Sequence, residues 1–264
     1  MKIGITLIVV SVVIFSCGQN DTNKKTNNVS DSQVIDKLIT DIHQYPDSAG
    51  LRMLLINSYD SLKMYNEAIA QTDSLIKRDR LNNGLWFTKA QLQEDNKDTA
   101  AAIDSYIKAI NIYPSTEAQL HLANLFAETK NPKALFICEN VHRLGRGRET
   151  DADCNFIAGI YYARTGAGKQ ALQLFDRAIN DNYTLMEAYM EKGFIYYDSK
   201  NYKDALKVFE TAITVNNTYA DAYYWRAKCQ EALGNKEDAL LDYKRSLGLD
   251  KQLKEAAAAI KRLE

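Results

Sequence analysis

An all-α stack of helix pairs is the fold class this sequence predicts, and three observations predict it. Ala171, Ala205 and Ala239 recur at intervals of 34 residues. An aromatic ring follows each of them four residues later, at Phe175, Phe209 and Tyr243, and a small residue three further on, at Ala178, Ala212 and Ser246. Residues at i, i+4 and i+7 share one face of an α-helix, and a fixed period of this length marks an array of helix-turn-helix units rather than a single compact core.

The elements follow in chain order. Met1 and Lys2 precede a mostly apolar run of 13 residues, Ile3 to Phe15, that closes on Ser16 and Cys17. About 20 apolar residues are needed to cross a bilayer as a helix, so residues 1–16 are expected to be a cleaved export signal rather than a permanent span. Ile14-Phe15-Ser16-Cys17 resembles the bacterial lipoprotein signal, with an aliphatic residue three before the cysteine and a small residue just before it. The resemblance implies lipidation of Cys17 and a membrane anchor. From Cys17 to residue 30 the chain is polar and lacks the apolar surface needed to offset the entropy of ordering, which makes it a flexible tether.

Residues 31–48 are expected to form the first helix, capped by Asp31 or Ser32, with Val34, Ile35, Leu38, Ile39 and Ile42 at helical spacing and Pro46 beyond its end. Six units then follow at approximately 49–82, 83–115, 116–151, 152–185, 186–219 and 220–253. A polar, alanine-rich helix over 254–264 closes the stack as a cap.

The units resemble tetratricopeptide (TPR) repeats. The fifth carries Tyr189, Gly193, Tyr196, Ala205, Phe209 and Ala212, and the second carries Trp86, Ala90, Ala102, Tyr106, Ala109 and Pro114. The resemblance implies a right-handed TPR solenoid whose helices cross closely at the small residues, with the aromatic filling the gap beside them. Two places depart from it. The anchor alanines Ala68, Ala102, Ala134 and Ala171 are spaced 34, 32 and 37 residues apart, so the third unit is irregular, with Pro132 in its turn and residues 144–150 expected to enlarge the next loop. In the first unit Arg52 and Thr72 replace large apolar residues, which suggests a solvated terminal repeat.

Composition and motifs point away from chemistry. The formal net charge is −1, and −2 once Lys2 leaves with the leader, so no basic footprint for nucleic acid is present. His43, His121 and His142 lie at no ligand spacing on one helix, and no cysteine pair has zinc-site spacing. No metal and no cofactor are expected. Gly166-Ala-Gly-Lys169 is similar to the end of a phosphate loop, but Gln170 follows it and its flanks are helical. Besides Cys17 there are Cys138, Cys154 and Cys229, an odd number that implies no disulfide framework. A bridge from Cys138 to Cys154 and two free thiols both stay open.

What remains is surface. In the TPR family the first helix of each unit lines a concave groove, and carrying those positions over selects Phe156, Ile160, Met190, Phe194, Tyr197 and Tyr224 as a candidate partner-binding groove, or alternatively as packing between neighbouring helices. Toward the first half the equivalent residues are polar and acidic, namely Asn57, Asp60, Gln91, Glu94, Asp95 and Glu128, with Lys228 and Arg164 as basic exceptions. An apolar partner segment carrying some basic residues suits that pattern. The Arg143, Arg146 and Arg148 cluster is either a solvated face or a contact for a partner or anionic headgroups.

The resemblance extends to the class of lipid-anchored tetratricopeptide lipoproteins that includes pilus-biogenesis factors, barrel-assembly accessory subunits and adaptors for cell-wall hydrolases. It implies a non-enzymatic scaffold at a bacterial cell envelope, on the outer membrane facing the periplasm or exposed outward, that binds a peptide or helix of an envelope protein. Two other functions fit the same residues: an outward-facing receptor for a carbohydrate or other ligand, and a structural homo-oligomer.

Overall fold

The computed structural model describes residues 31–264; the expected leader, Cys17 and the tether lie outside the described residues. Among the described residues there are 14 helices and no strand, and about 80% of them are helical. They form two compact units divided between Pro114 and Ser115. The first holds α1 (Asp31–Gln44), α2 (Ala49–Ser61), α3 (Tyr65–Arg78), α4 (Asn83–Asp95) and α5 (Thr99–Ile112). The second holds α6 (Thr116–Glu128), α7 (Lys133–Arg143), α8 (Arg148–Arg164), α9 (Gly168–Asp181), α10 (Met186–Asp198), α11 (Tyr202–Val215), α12 (Ala220–Ala232), α13 (Lys236–Leu249) and α14 (Lys254–Leu263).

The same three devices build pair after pair. Side-chain caps start several helices: Ser48 accepts from the Leu51 N–H, Asn82 from Leu85, Asp98 from Ala101 and Ser115 from Ala118. Each first helix ends in one kind of turn, with a left-handed residue at Lys63, Lys97, Lys130, Gly166, Lys200 or Gly234. At Lys200 its N–H bonds to Tyr197 O at 2.9 Å while the next N–H, of Asn201, bonds to Tyr196 O at 2.9 Å, which satisfies carbonyls a helix end leaves open. Finally, an aromatic near the start of α4, α10 and α12 ties back to the preceding turn: Trp86 Nε1 donates to Arg80 O, Tyr189 Oη to Tyr183 O, and Tyr223 Oη to Asn217 O, at 3.0–3.1 Å.

Where the two helices of a pair cross, packing takes two forms. In α8/α9 and α10/α11 a glycine faces a phenylalanine so closely that a Cβ on Gly159 would stand 2.6 Å from the Phe175 ring, and one on Gly193 2.4 Å from Phe209. In α4/α5 and α12/α13 the small residue is alanine, Ala90 or Ala227, and the ring is tyrosine. The hydroxyls of Tyr106 and Tyr243 donate to Glu94 and Glu231, both at 2.9 Å. The anchors Ala102, Ala171, Ala205 and Ala239 and all four rings are fully buried.

Two irregular regions differ from expectation. Residues 148–150 join α8, which gains a turn at its N-terminus and runs for 17 residues; the His142 Nδ1 to Asp151 contact at 2.7 Å holds that turn to α7. Two of the three arginines expected on an enlarged loop are engaged or helical, Arg148 donating to Asn180 O at 2.7 Å and Arg143 to Asn140, while Arg146 is exposed in the connection between α7 and α8. In the first pair, Thr72 is fully buried, its hydroxyl donating to Ala68 O at 2.9 Å, and Arg52 is half-buried with Nη1 on Gln71 Oε1 at 2.8 Å. This repeat is not solvated, because α1 packs on α2 and closes that end of the core with Leu38 and Ile42.

Candidate functional site

The six groove residues divide into two sets. Phe156, Ile160 and Met190 are buried, so the structure corrects their place in an open groove: they are core. Phe156 packs on Phe175 with ring centroids 5.8 Å apart, and Met190 belongs to the cluster built by α10, α11 and α12. The reason lies in α8, which packs against α6 and α7 as well as its own partner α9 and touches α10.

Phe194, Tyr197 and Tyr224 are half-buried and converge on one ring. The Trp225 centroid lies 4.7 Å from Phe194, 5.3 Å from Tyr197 and 5.7 Å from Tyr224. Tyr202 extends the patch, 5.2 Å from Tyr197, and Lys228 Nζ sits 5.6 Å and 5.7 Å from the Tyr197 and Trp225 rings. Partial burial, with Tyr202 and Glu231 nearby, pushes the Tyr197 hydroxyl up to about 12, so it stays a neutral hydrogen-bonding group over the physiological range. Trp225 and Tyr202 were missed by the repeat positions. The signal for Trp225 was the run Tyr223-Tyr224-Trp225, since three consecutive rings at about 100° steps cannot all point inward.

Two of the groove charges are committed within the protein. Arg164, at the end of α8, donates to Glu128 of α6 at 2.8 and 3.0 Å and to Glu191 of α10 at 2.9 Å twice. Glu191 is buried, and its hydrogen bonds hold the guanidinium well above its ordinary value. Removing Arg164 would leave Glu191 an unpaired buried charge, so the triad is structural. Glu231 is likewise held by Arg262 of α14 as well as by Tyr243, and it lies below the usual carboxylate range for that reason.

Cys138, Cys154 and Cys229 are free and buried. Cys138 and Cys154 meet as hydrogen-bonded thiols, and that bond together with burial pushes the Cys138 thiol far above its ordinary value. Burial pushes Cys229 up to about 12, which leaves Cys138 and Cys229 as inert thiols at neutral pH. Among the described residues no group of His, Cys, Asp and Glu is arranged to hold a metal, and no helix is long and apolar enough to cross a membrane.

Comparison with known families decides what the pairs are. A family profile described as "Tetratricopeptide repeat" matches residues 84–116 and 220–261, and one described as "TPR repeat" matches 193–234. Residues 84–116 and 193–261 are tetratricopeptide repeats. The chain's TPR fold is shared with a tetratricopeptide repeat protein from Parabacteroides merdae, at 17% identity over 88% of this chain and 93% of that one, with a TM-score of 0.70. It is also shared with PilW, a type IV pilus biogenesis factor, at 19% identity over 80% and 97% of the two chains with a TM-score of 0.64. The Cut9-Hcn1 structure gives 15% identity over 88% of this chain and 46% of that chain, with a TM-score of 0.60. No curated protein matches. The matched stretches cover α4/α5 and the chain from within α10 to α14, and the aromatic patch lies within the second of them.

Proposed function

We propose that this TPR protein is a non-enzymatic adaptor, held at a bacterial cell envelope by lipid on Cys17, which seats a segment of another envelope protein on the aromatic face of α10 and α12. The observation that carries the reading is the half-buried set Phe194, Tyr197, Tyr224 and Trp225 around one point. Tyrosine and tryptophan offer large, stiff contact area with a polar edge and are favoured as interface anchors. A contiguous apolar patch on a soluble unit marks a binding surface.

In-cell crosslinking from a photoreactive residue at position 197, with mass spectrometry of the product, tests the adaptor. One envelope protein, recovered reproducibly and lost in the Phe194→Ala/Tyr224→Ala variant, supports it. Self-crosslinks alone would replace it with the homo-oligomer, and glycan adducts with a receptor. The anchor is tested separately: labelled palmitate enters the wild-type chain and is absent from Cys17→Ser.

A further inference from the structure

An acid occupies the second position of every repeat unit from the third onward and of the closing helix. These are Glu117 in α6, Asp153 in α8, Glu187 in α10, Asp221 in α12 and Glu255 in α14, and the last four stand 34 residues apart. On α12, Asp221 precedes Tyr224, Trp225 and Lys228 by three, four and seven residues, which puts it on the same helix face one turn from the rings. Glu187 stands seven residues before Phe194 in the same way.

The row is crowded and uncompensated. Partial burial, then Glu149 and Glu187, push the Asp153 carboxyl up to about 6, and Asp250 and Glu255 add to desolvation in raising Asp221. No lysine or arginine among the described residues pairs with any of the five, whereas their neighbours Glu128 and Glu191 share Arg164 and Glu231 has Arg262. Helix N-termini favour acids in their first turn, but that does not explain Asp153. The first turn of α8 already holds Glu149 and Asp151, and Asp153 comes after them.

Building on the adaptor reading, we infer that the aromatic face of α10 and α12 takes a cationic segment. Its occupant lays an apolar side chain against Phe194, Tyr197, Tyr224 and Trp225 and directs lysine or arginine side chains, one helical turn away, to Asp153, Glu187, Asp221 and Glu255. Charge complementarity selects this occupant over an acidic one, because like charge facing the row would be repelled. Lys228 sharpens the division: it already stands over the Tyr197 and Trp225 rings, so a second cation is disfavoured there and the incoming cations go to the row.

Fluorescence anisotropy of the full chain tests this with two labelled twelve-residue peptides. One carries Arg at every third position with Leu and Phe between; the other carries Glu in place of each Arg. The expected result is that the Arg peptide binds at least tenfold more tightly, that raising the salt weakens it, and that Glu187→Gln/Asp221→Asn/Glu255→Gln costs at least tenfold at a melting temperature no lower than that of the wild type. Equal binding of the two peptides, no binding of either, or full affinity in the triple variant would overturn the inference. Should the triple variant fail to fold, the exposed single change Asp221→Asn is expected to cost about threefold, and no loss there overturns it equally. The underlying reading fails differently: a position-197 crosslink to an envelope protein that survives the triple variant keeps the groove and rejects the cation, whereas no crosslink in the wild type rejects the groove itself.

Discussion

Helices α8 and α12 bring side chains to equivalent repeat positions and use them differently. At the fifth position Phe156 of α8 is buried, while Tyr224 of α12 is half-exposed. At the ninth, Ile160 is buried, while Lys228 lies over the aromatic patch. The difference is in the neighbours. α8 is flanked by α6 and α7 in addition to α9, whereas α12 packs chiefly on α11 and α13. Repeat register tells which face a residue occupies; how closely the next helix approaches tells whether that face is covered.

The largest effect that sharpens the comparison is on folding. Phe156→Ala removes a buried ring and is expected to cost about 3–5 kcal/mol, read as a lower denaturation midpoint, while Tyr224→Ala costs distinctly less. Gly193→Ala comes next, because its Cβ would stand 2.4 Å from the Phe209 ring; overpacking of this kind costs about 1–3 kcal/mol. The converse change at the equivalent place in α12, Ala227→Gly, removes no clash and costs about 1 kcal/mol through helix propensity. Equal losses from the two would break the distinction between glycine–phenylalanine and alanine–tyrosine crossings.

A pH difference follows from Asp153. Its carboxyl titrates at about 6 in the folded chain and near 3.9 when unfolded. A raised folded value means that stability is fully present below the unfolded value and is lost as pH rises through 6. Asp153→Asn should therefore melt above the wild type at pH 7.5 and level with it at pH 4. The smallest effect is at the shared turn: Lys200 has φ 60°, a conformation that costs a side-chain-bearing residue roughly 1–2 kcal/mol, partly offset by the entropy of glycine. Lys200→Gly should gain about 0.5 kcal/mol in a denaturant titration.

The fold was legible because one packing problem, a small residue against a ring, is solved again and again at fixed spacing. Ala205 and Phe209 announce it without help from the rest of the chain. The site was legible in part. Phe194, Tyr197 and Tyr224 could be placed on the right face, but Phe156, Ile160 and Met190 occupy that face too, and only the approach of neighbouring helices separates the two sets. Trp225 falls one residue past a groove position and reaches the patch through ring packing that no position rule contains. Thr72 was misread because its hydroxyl is satisfied within its own helix, by Ala68 O, so a polar residue stays fully buried there. Pairing such as Glu128–Arg164–Glu191 joins residues 36 and 27 apart, so it shows only when three helices are seen together.

The most direct test of the division between covered and open face is to measure unfolding and partner crosslinking from position 197 in parallel for Phe156→Ala and Tyr224→Ala. The account predicts that Phe156→Ala loses several kcal/mol yet still captures its partner well below its melting temperature, while Tyr224→Ala keeps most of its stability and loses capture. Two variants that lose stability and capture in the same proportion would contradict it.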